Sequence, residues 1–474
     1  MSLSLPLPLA LSAVPGRCTL SLSADAAGML AVMTRPTPAT PQIGQPPRRL
    51  GAATATLIVI ASMIGTGVFT TTGFLVRDIP SSPAVLLAWL VGGLLALCGA
   101  LAYGELVAAL PRNGGEYQIL ARVYHPAVGF VAGWISLVVG FSAPIAASAI
   151  GFGSYLAAIV PAVDPTAAAA ILVVGLSALH AAHVTAGSGL QNVFTIGKVL
   201  LIAGFVGGGL IVADPARVFA SGTMPVADAV ISPQFAVGLI LVAFAYSGWN
   251  GAAYIAGEVR RPDRVLPLAL FLGTGVVVLL YLGLNVVFLA AAPPEQLAGV
   301  VEVGHVAATR LFGPGTGAAV SAVIALALVS SVSAQVMAGP RVYEAMGVDY
   351  RRLAVLARRS DRGGPVGAVV LQGTIALAML LTSTFEALLT FIGFTLSLAS
   401  GLAVVGVIVL RRREPDLRRP YRTWGYPVTP LLFVALSAWM VVHAITERPV
   451  VAAAGGLTIV SGLVVYALVA RGSR

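Results

Sequence analysis

Twelve long apolar windows, each with few or no charged residues, follow one another from residue 50 onward. They cover residues 50–76, 79–104, 127–160, 165–183, 190–213, 229–257, 265–294, 311–340, 365–385, 387–410, 425–446 and 449–470. A helix needs about 20 apolar residues to cross a bilayer, and the windows are of that length. The pattern predicts an all-α polytopic membrane protein with twelve transmembrane helices and both termini on one side.

The arginines between the windows predict the orientation. With the N-terminus placed inside, 23 of the 27 arginines fall in inside segments, and the outside loops carry only Arg77, Arg217, Arg310 and Arg448. Basic residues are enriched in the cytoplasmic loops of membrane proteins. We therefore expect both termini to be cytoplasmic. The same count supports twelve helices, because one missed span would destroy the alternation.

Composition excludes the soluble classes. Of 474 residues, 58% are hydrophobic and 10% are charged, with a mean hydropathy of +0.94, whereas soluble chains carry about 25% charged residues. The net charge of +10 reflects the cytoplasmic loops rather than a nucleic-acid partner. Cys18 and Cys98 lie far apart without metal-ligand spacing. No disulfide framework, metal site or cofactor is predicted.

Residues 1–48 are rich in Pro, Ser, Thr and Ala and are predicted to form a disordered cytoplasmic tail. The apolar run 3–14 resembles the hydrophobic region of a signal peptide, but no basic residue precedes it. A cleaved signal peptide and a gene start placed too far upstream of Met29 or Met33 are the alternatives.

The first window contains a break at residues 65–67, which read Gly-Thr-Gly inside a stretch without any charge. Glycine is a poor helix former, and unwound backbone survives in a membrane only inside protein or beside a watery cavity. Such a break exposes N–H groups that attract an anion such as a carboxylate. The alternative is a glycine face that only packs closely on another helix.

The sixth window contains a second polar break, at residues 244–251. Windows one and six each begin a set of five, so the two sets enter the membrane from opposite sides. Interrupted helices at matching positions of inverted repeats indicate a transporter's midplane site. The predicted units are residues 49–213 and 229–410 as two inverted five-helix repeats, and 425–470 as helices 11 and 12.

Lys198 is the single lysine of the chain and lies eight positions into the fifth window. A lysine at this depth is costly, so it is a functional candidate. The structural alternative is snorkelling of its side chain to the cytoplasmic edge.

Six segments in order resemble the amino acid–polyamine–organocation (APC) superfamily over essentially the whole chain from residue 50. They are residues 63–69, 103–106, 111–117, 244–250, 257–262 and 338–342. The resemblance implies a LeuT-like fold with a 5+5 inverted repeat, broken helices 1 and 6, and alternating access. With the Arg-, Ala-, Gly- and Val-rich composition, it suggests a permease of a bacterial cell membrane.

The resemblance also implies which residues bind substrate. Backbone N–H groups around Gly65, Thr66 and Gly67 would take the substrate carboxylate, and carbonyls exposed in the breaks would take the ammonium group. Phe244 would gate the site from outside, and Asn250 would touch the substrate. The full predicted substrate-binding set is Met63, Ile64, Gly65, Thr66, Gly67, Phe244, Ala245, Ser247 and Asn250.

A lysine at the place of Lys198 resembles one that fills a sodium position in sodium-driven relatives. We therefore hypothesise that Lys198 replaces sodium and contacts carbonyls near Gly65 together with a hydroxyl of the eighth window. The candidate hydroxyls are those of Ser330, Ser331 and Ser333. Protons are the candidate coupling ion, because release and uptake of a proton by Lys198 would couple to transport.

Two acids lie near inner helix ends. Glu105 and Glu258 are interpreted as structural partners of nearby arginines such as Arg112, Arg260 or Arg341, or else as an inner gate.

The third window indicates the substrate class. Cationic amino acid carriers of the superfamily have an acid at the level of residues 139–140, but this chain has none between His125 and Asp164. We expect a neutral amino acid as substrate. The outer loop after this window has no cysteine, so no disulfide-linked accessory subunit is expected. A monomer or a homodimer in the lipid bilayer is predicted.

The alternatives differ in class. An amino acid/amine exchanger or a polyamine carrier of the same fold is the nearest, although polyamines would leave the N–H groups of the first break unused. A membrane-embedded enzyme is a distant alternative, since it needs converging acids, histidines or a metal. A channel would need a ring or filter rather than two broken helices.

Overall fold

The computed structural model describes residue 48 and residues 50–470, apart from 183–187, 221, 223 and 360–364; for 188–191 and 220 it describes the backbone alone. The predicted tail 1–48 therefore lies, except for Arg48, outside the described residues.

All twelve apolar windows are helical. In chain order the helices are α1 (Ala52–Met63 and Gly67–Asp78), α2 (Ser82–Ala109), α3 (Pro126–Ala157), α4 (Pro165–Ala182), α5 (Ser188–Val212), α6 (Pro233–Tyr246 and Gly251–Glu258), α7 (Pro262–Ala291), α8 (Pro314–Ala338, continued by Pro340–Asp349), α9 (Val366–Thr382), α10 (Phe385–Arg413), α11 (Val428–Glu447) and α12 (Pro449–Ala470). Eleven of these segments are long and apolar enough to cross a membrane, and α9 is a shorter apolar helix of 17 residues.

Short helices connect the long ones. Within the described part of the chain they are Glu116–Val123, Ala216–Ala220, Val226–Val230, Pro294–Leu297, Val303–Phe312, Arg351–Leu353 and Ala354–Ala357. Many helices begin with proline in the first turn, as in α3, α6, α7 and α8. Proline is tolerated there because its missing N–H would have no intrahelical acceptor.

The helices differ in how much of their surface lies inside the protein. Helix α6 has the largest share of buried residues, followed by α3 and α10, whereas few residues of α4, α5 and α12 are buried. The exposed side chains of α4 and α12 include Ile171, Val174, Val450 and Leu457. An apolar exposed face is what a lipid-facing helix requires. The interrupted helix α6 is thus the most enclosed of the long helices, whereas α1 is buried to about the same extent as α7 and α8.

The start of α1 is tied to the end of α6. The Leu50 N–H donates to the Glu258 carbonyl at 3.0 Å, and the Arg260 N–H donates to the Leu50 carbonyl at 2.8 Å. These two bonds hold the start of α1 beside the end of α6.

Candidate functional site

Helix α1 is interrupted at residues 64–66. Its first half ends at Met63, and Ile64 follows with φ −75° and ψ 88°, outside the helical region. The second half begins at Gly67. The Gly-Thr-Gly sequence therefore does interrupt the helix, as the sequence predicts.

Helix α6 is interrupted at residues 247–250. Ser247 is extended, with φ −54° and ψ 150°, and Gly248 has φ +96°. A positive φ is costly for any residue with a Cβ, so this turn requires glycine. The chain then resumes as a 3₁₀-helix over Gly251–Glu258.

The two interrupted helices touch each other at glycine positions. A Cβ built on Gly67 would lie 2.5 Å from the Cα of Ala245 and 3.2 Å from the Phe244 ring, and one built on Gly248 would lie 2.3 Å from the Ser62 carbonyl oxygen. Close packing and helix interruption therefore occur together. Gly65 differs, because a Cβ there would meet no atom within 4 Å.

The polar groups of the α1 break are partly used within the protein. The Met63 carbonyl accepts from the Gly65 N–H at 2.9 Å and from the Tyr281 hydroxyl at 2.7 Å. The first N–H groups of the second half, those of Gly67 and Val68, have no intrahelical acceptor by helix geometry. The break therefore offers N–H groups to an anion more readily than it offers the Met63 carbonyl to a cation. The substrate contacts of this segment stay a prediction.

Four other predicted substrate residues line or flank the breaks. Phe244 and Ala245 are buried against the second half of α1, and the Phe244 carbonyl accepts from the Ser247 N–H at 2.9 Å. The Thr66 hydroxyl is buried without a hydrogen-bond partner in the described structure. Its oxygen would lie 2.6 Å from a Cβ built on Gly151 of α3.

Lys198 of α5 reaches the α1 break. Its side chain is only 5% exposed, and its Nζ donates to Ser331 Oγ of α8 at 2.7 Å and to the Ile64 carbonyl at 3.5 Å. Ser331 Oγ in turn lies 3.4 Å from the Ile64 oxygen. The side chain therefore points into the protein and does not snorkel.

The other two candidate hydroxyls have different surroundings. Ser330 Oγ is buried without a partner in the described structure, and Ser333 Oγ lies 2.8 Å from His180 Nε2 of α4. Of the three serines, Ser331 is the one hydrogen-bonded to the lysine. The coupling role of these residues stays a prediction.

The two acids at the inner helix ends differ from each other. Glu105 accepts from Arg411 Nε at 2.8 Å and Arg411 Nη2 at 2.6 Å, and from the Thr423 N–H and hydroxyl at 2.8 Å each. Glu105 therefore pairs with arginines, as predicted, but the arginines are Arg411 at the end of α10 and Arg419, whose Nε lies 3.5 Å from Glu105 Oε1, rather than Arg112, Arg260 or Arg341. Glu258 lies 3.9 Å from the predicted Arg341.

Helix α3 carries a π-helical segment over Ser136–Ser142. This segment contains only uncharged residues, including Val139 and Gly140. A π-helical turn inside an α-helix is frequent at functional sites. No residue pattern predicts this segment, since no proline or glycine pair marks its start.

Glu116 was not predicted as a functional residue, although it lies within segment 111–117, one of the six that resemble the superfamily. It begins the short helix Glu116–Val123 and is 3% exposed. Its Oε1 accepts from the Tyr103 hydroxyl at 2.5 Å and from Asn250 Nδ2 at 3.0 Å. The available signal was an acid directly after Gly114-Gly115, where the chain turns sharply.

Comparison with known proteins agrees with this architecture. The family model described as amino acid permease matches residues 50–469. The large neutral amino acids transporter small subunit 2 of Oryctolagus cuniculus is 27% identical over 89% of this chain and 80% of its own length. The b(0,+)-type amino acid transporter 1 of Mus musculus is 27% identical over 85% and 83%, respectively. The serine/threonine exchanger SteT of Bacillus subtilis (strain 168) is 29% identical over 82% and 89%. With a family match that spans both broken helices, this chain belongs to the amino acid permeases, multi-pass membrane proteins of the APC superfamily that transport amino acids.

Proposed function

We propose that the protein transports neutral amino acids without sodium, and that the Lys198 ammonium group stands where a sodium-driven relative holds its ion. The observation that carries the proposal is the contact of Lys198 Nζ with a main-chain carbonyl of the α1 break and a hydroxyl of α8.

These contacts are chemically suited to a monovalent cation. A carbonyl and a hydroxyl are oxygen ligands of the type that hard cations prefer. The Ile64 carbonyl also belongs to the C-terminal end of a half-helix, where the helix dipole favours positive charge. Within the part of the chain that the structure describes, no aspartate or glutamate forms an ion pair with Lys198. A tethered ammonium group would supply the positive charge in every transport cycle.

The absence of charged residues from the π-helical segment of α3 supports a neutral substrate. The π-helical segment Ser136–Ser142 offers hydroxyls, apolar side chains and backbone, but no acid to pair with a cationic side chain. Two of the relatives are named for neutral or hydroxyl-bearing amino acids. In the proposed site, the N–H groups of Thr66 and Gly67, and that of Gly65 once it leaves the Met63 carbonyl, take the substrate carboxylate, while carbonyls of the breaks and Asn250 take the ammonium group.

The same proposal assigns orientation and gates. The arginine distribution supports cytoplasmic termini, and the Bacillus subtilis relative supports a bacterial cell membrane. In this proposal Glu105 and Glu258 lie on the cytoplasmic side. Phe244 is then the outer gate, because its ring lies over Gly67. No accessory subunit linked by a disulfide is part of the proposal.

Exchange is a second candidate for the mode of transport. One relative is named an exchanger, and a tethered cation removes the need for an ion gradient. In an exchanger, the carrier returns only when it holds an amino acid on the other side. Proton-coupled symport is the competing mode.

The experiment uses purified full-length protein in liposomes and radiolabelled serine, threonine, leucine, arginine and putrescine. Uptake is measured with sodium or choline outside, with or without an inward proton gradient, into vesicles that are empty or preloaded with the same unlabelled compound. We expect uptake of neutral amino acids that is equal in sodium and choline. Stimulation by preloading would select exchange, and stimulation by the proton gradient would select symport. A requirement for sodium, or uptake of arginine or putrescine alone, would contradict the proposal.

A further inference from the structure

The loop between α2 and the helix Glu116–Val123 packs along the second half of α6. Asn113 Oδ1 accepts from the Gly257 N–H at 2.8 Å, and the Gly114 N–H donates to the Tyr254 carbonyl at 3.4 Å. Gly115 has φ +54°, and a Cβ on it would lie 2.6 Å from the Tyr254 ring. The loop therefore holds the second half of α6 closely and delivers Glu116 to the α6 break.

Glu116 is buried without a cationic partner among the described residues. The hydrogen bonds to its carboxylate come from Tyr103 of α2 and Asn250 of α6, and Ser400 of α10 is a further polar neighbour. The titratable side chains that face it are Tyr103 and Tyr254. A buried carboxylate supported by neutral donors alone is costly, and an apolar side chain would fill the same space at a lower cost.

The carboxylate determines how the Asn250 side chain is oriented. An ionised carboxylate can only accept hydrogen bonds, so the Asn250 amide must turn its NH₂ group toward Glu116. The amide oxygen of Asn250 is then directed away from Glu116 and accepts no hydrogen bond from the described residues. The side chain presents a hydrogen-bond acceptor at the α6 break.

We propose that Glu116 is a positioning residue for substrate recognition: by holding the NH₂ group of Asn250, it directs the Asn250 amide oxygen toward the ammonium group of the bound amino acid. The inference rests on the proposed function, because it assigns Asn250 to the substrate site. Glu116 itself does not touch the substrate.

A double-mutant cycle tests whether Glu116 acts through Asn250. KM and maximal rate are measured for the best neutral amino acid with wild type, Glu116→Leu, Asn250→Ala and the double variant. We expect each single variant to raise KM about tenfold, the size of one lost charge-assisted hydrogen bond, with a smaller change in maximal rate. The double variant should be no worse than Asn250→Ala. If the KM increases of the two single variants multiply in the double variant, the two residues act independently and the inference is overturned.

A reversal of donor and acceptor gives an independent test in variants that keep polar side chains. The Asn250→Asp substitution places a second carboxylate next to that of Glu116, and their repulsion should raise KM. Adding Glu116→Gln supplies an NH₂ group to the new carboxylate and should restore KM to within about threefold of wild type. Glu116→Gln alone should raise KM only about threefold, because its amide, like a protonated carboxyl, can also turn its NH₂ group toward Asn250 and let the Asn250 amide reverse. Failure of the second substitution to rescue the first would contradict the inference.

The two proposals fail in different ways. If wild type transports no neutral amino acid, the proposed function fails before the cycle begins. If wild type transports one and the rescue does not occur, only the role of Glu116 fails. Size-exclusion elution and the apparent melting temperature of each variant separate loss of folding from loss of affinity.

Discussion

The interruptions of α1 and α6 are supported by buried ionisable groups of opposite charge. At the α1 break, Lys198 donates to the Ile64 carbonyl. At the α6 break, Glu116 accepts from the side chain of Asn250, the residue before the 3₁₀ segment. Each group sits at the helix end whose dipole it complements, a cation near carbonyls and an anion near the start of a helical segment.

The two breaks also differ in the space they leave. Gly248 in α6 lies against Ser62, so that break is filled by α1 itself. Gly65 in α1 has open space around its missing Cβ. Helix α1 therefore packs directly against the α6 break at Gly248, whereas the α1 break leaves open space at Gly65.

The largest expected effect is that of Gly248→Ala. The new methyl group would lie 2.3 Å from the Ser62 carbonyl oxygen at a φ of +96°. Together the strain and the overlap should destabilise the fold by roughly 3 kcal/mol or more. The check is the yield of monodisperse protein and its apparent melting temperature. Normal yield and stability would show that the α6 break is not packed as described.

A smaller but specific effect is expected for Lys198→Met, which keeps length and removes charge. Transport should fall at least about tenfold, because the Ile64 carbonyl and Ser331 lose a charged donor. The matched control is Ser330→Ala, whose hydroxyl neighbours Ser331 but has no partner in the described structure. Uptake assays of both variants in liposomes provide the comparison. Unchanged uptake by Lys198→Met would show that transport does not need a positive charge at the α1 break.

The smallest expected effect is a pH dependence from the α6 side. Burial raises the pKa of the Glu116 carboxyl, although hydrogen bonds from Tyr103, Asn250 and Ser400 oppose the shift. The carboxyl therefore takes up a proton at a higher pH than an exposed glutamate does. Protonation would let the Asn250 amide reverse, so KM should rise as the pH falls, by about threefold or more. KM measured across acidic pH should rise in wild type and stay flat in Glu116→Gln. If KM rises equally in wild type and in Glu116→Gln as the pH falls, Glu116 is not the group that causes the pH dependence.

Much of the fold was predictable from the sequence because hydrophobic length and arginine placement are local signals. The windows and both interruptions follow from residues close together in the chain, whereas the inward position of Lys198 was implied by the family resemblance. The partner of Glu105 was not predictable, since Arg411 lies 306 positions away and competes with several nearer arginines. The Tyr281 contact with the Met63 carbonyl and the Glu116 contact with Asn250 likewise depend on how distant helices pack.

The most direct test of the central claim, that the α1 break is a ligand site and not only a packing feature, is substrate binding to Gly65→Ala. The added methyl group meets no atom within 4 Å, so the melting temperature should match that of wild type and of the control Gly456→Ala, whose position on α12 is equally open. The dissociation constant for the preferred neutral amino acid, measured by equilibrium binding on purified protein, should rise at least about tenfold because the methyl group crowds the N–H groups. Wild-type affinity in a folded Gly65→Ala variant would contradict the claim.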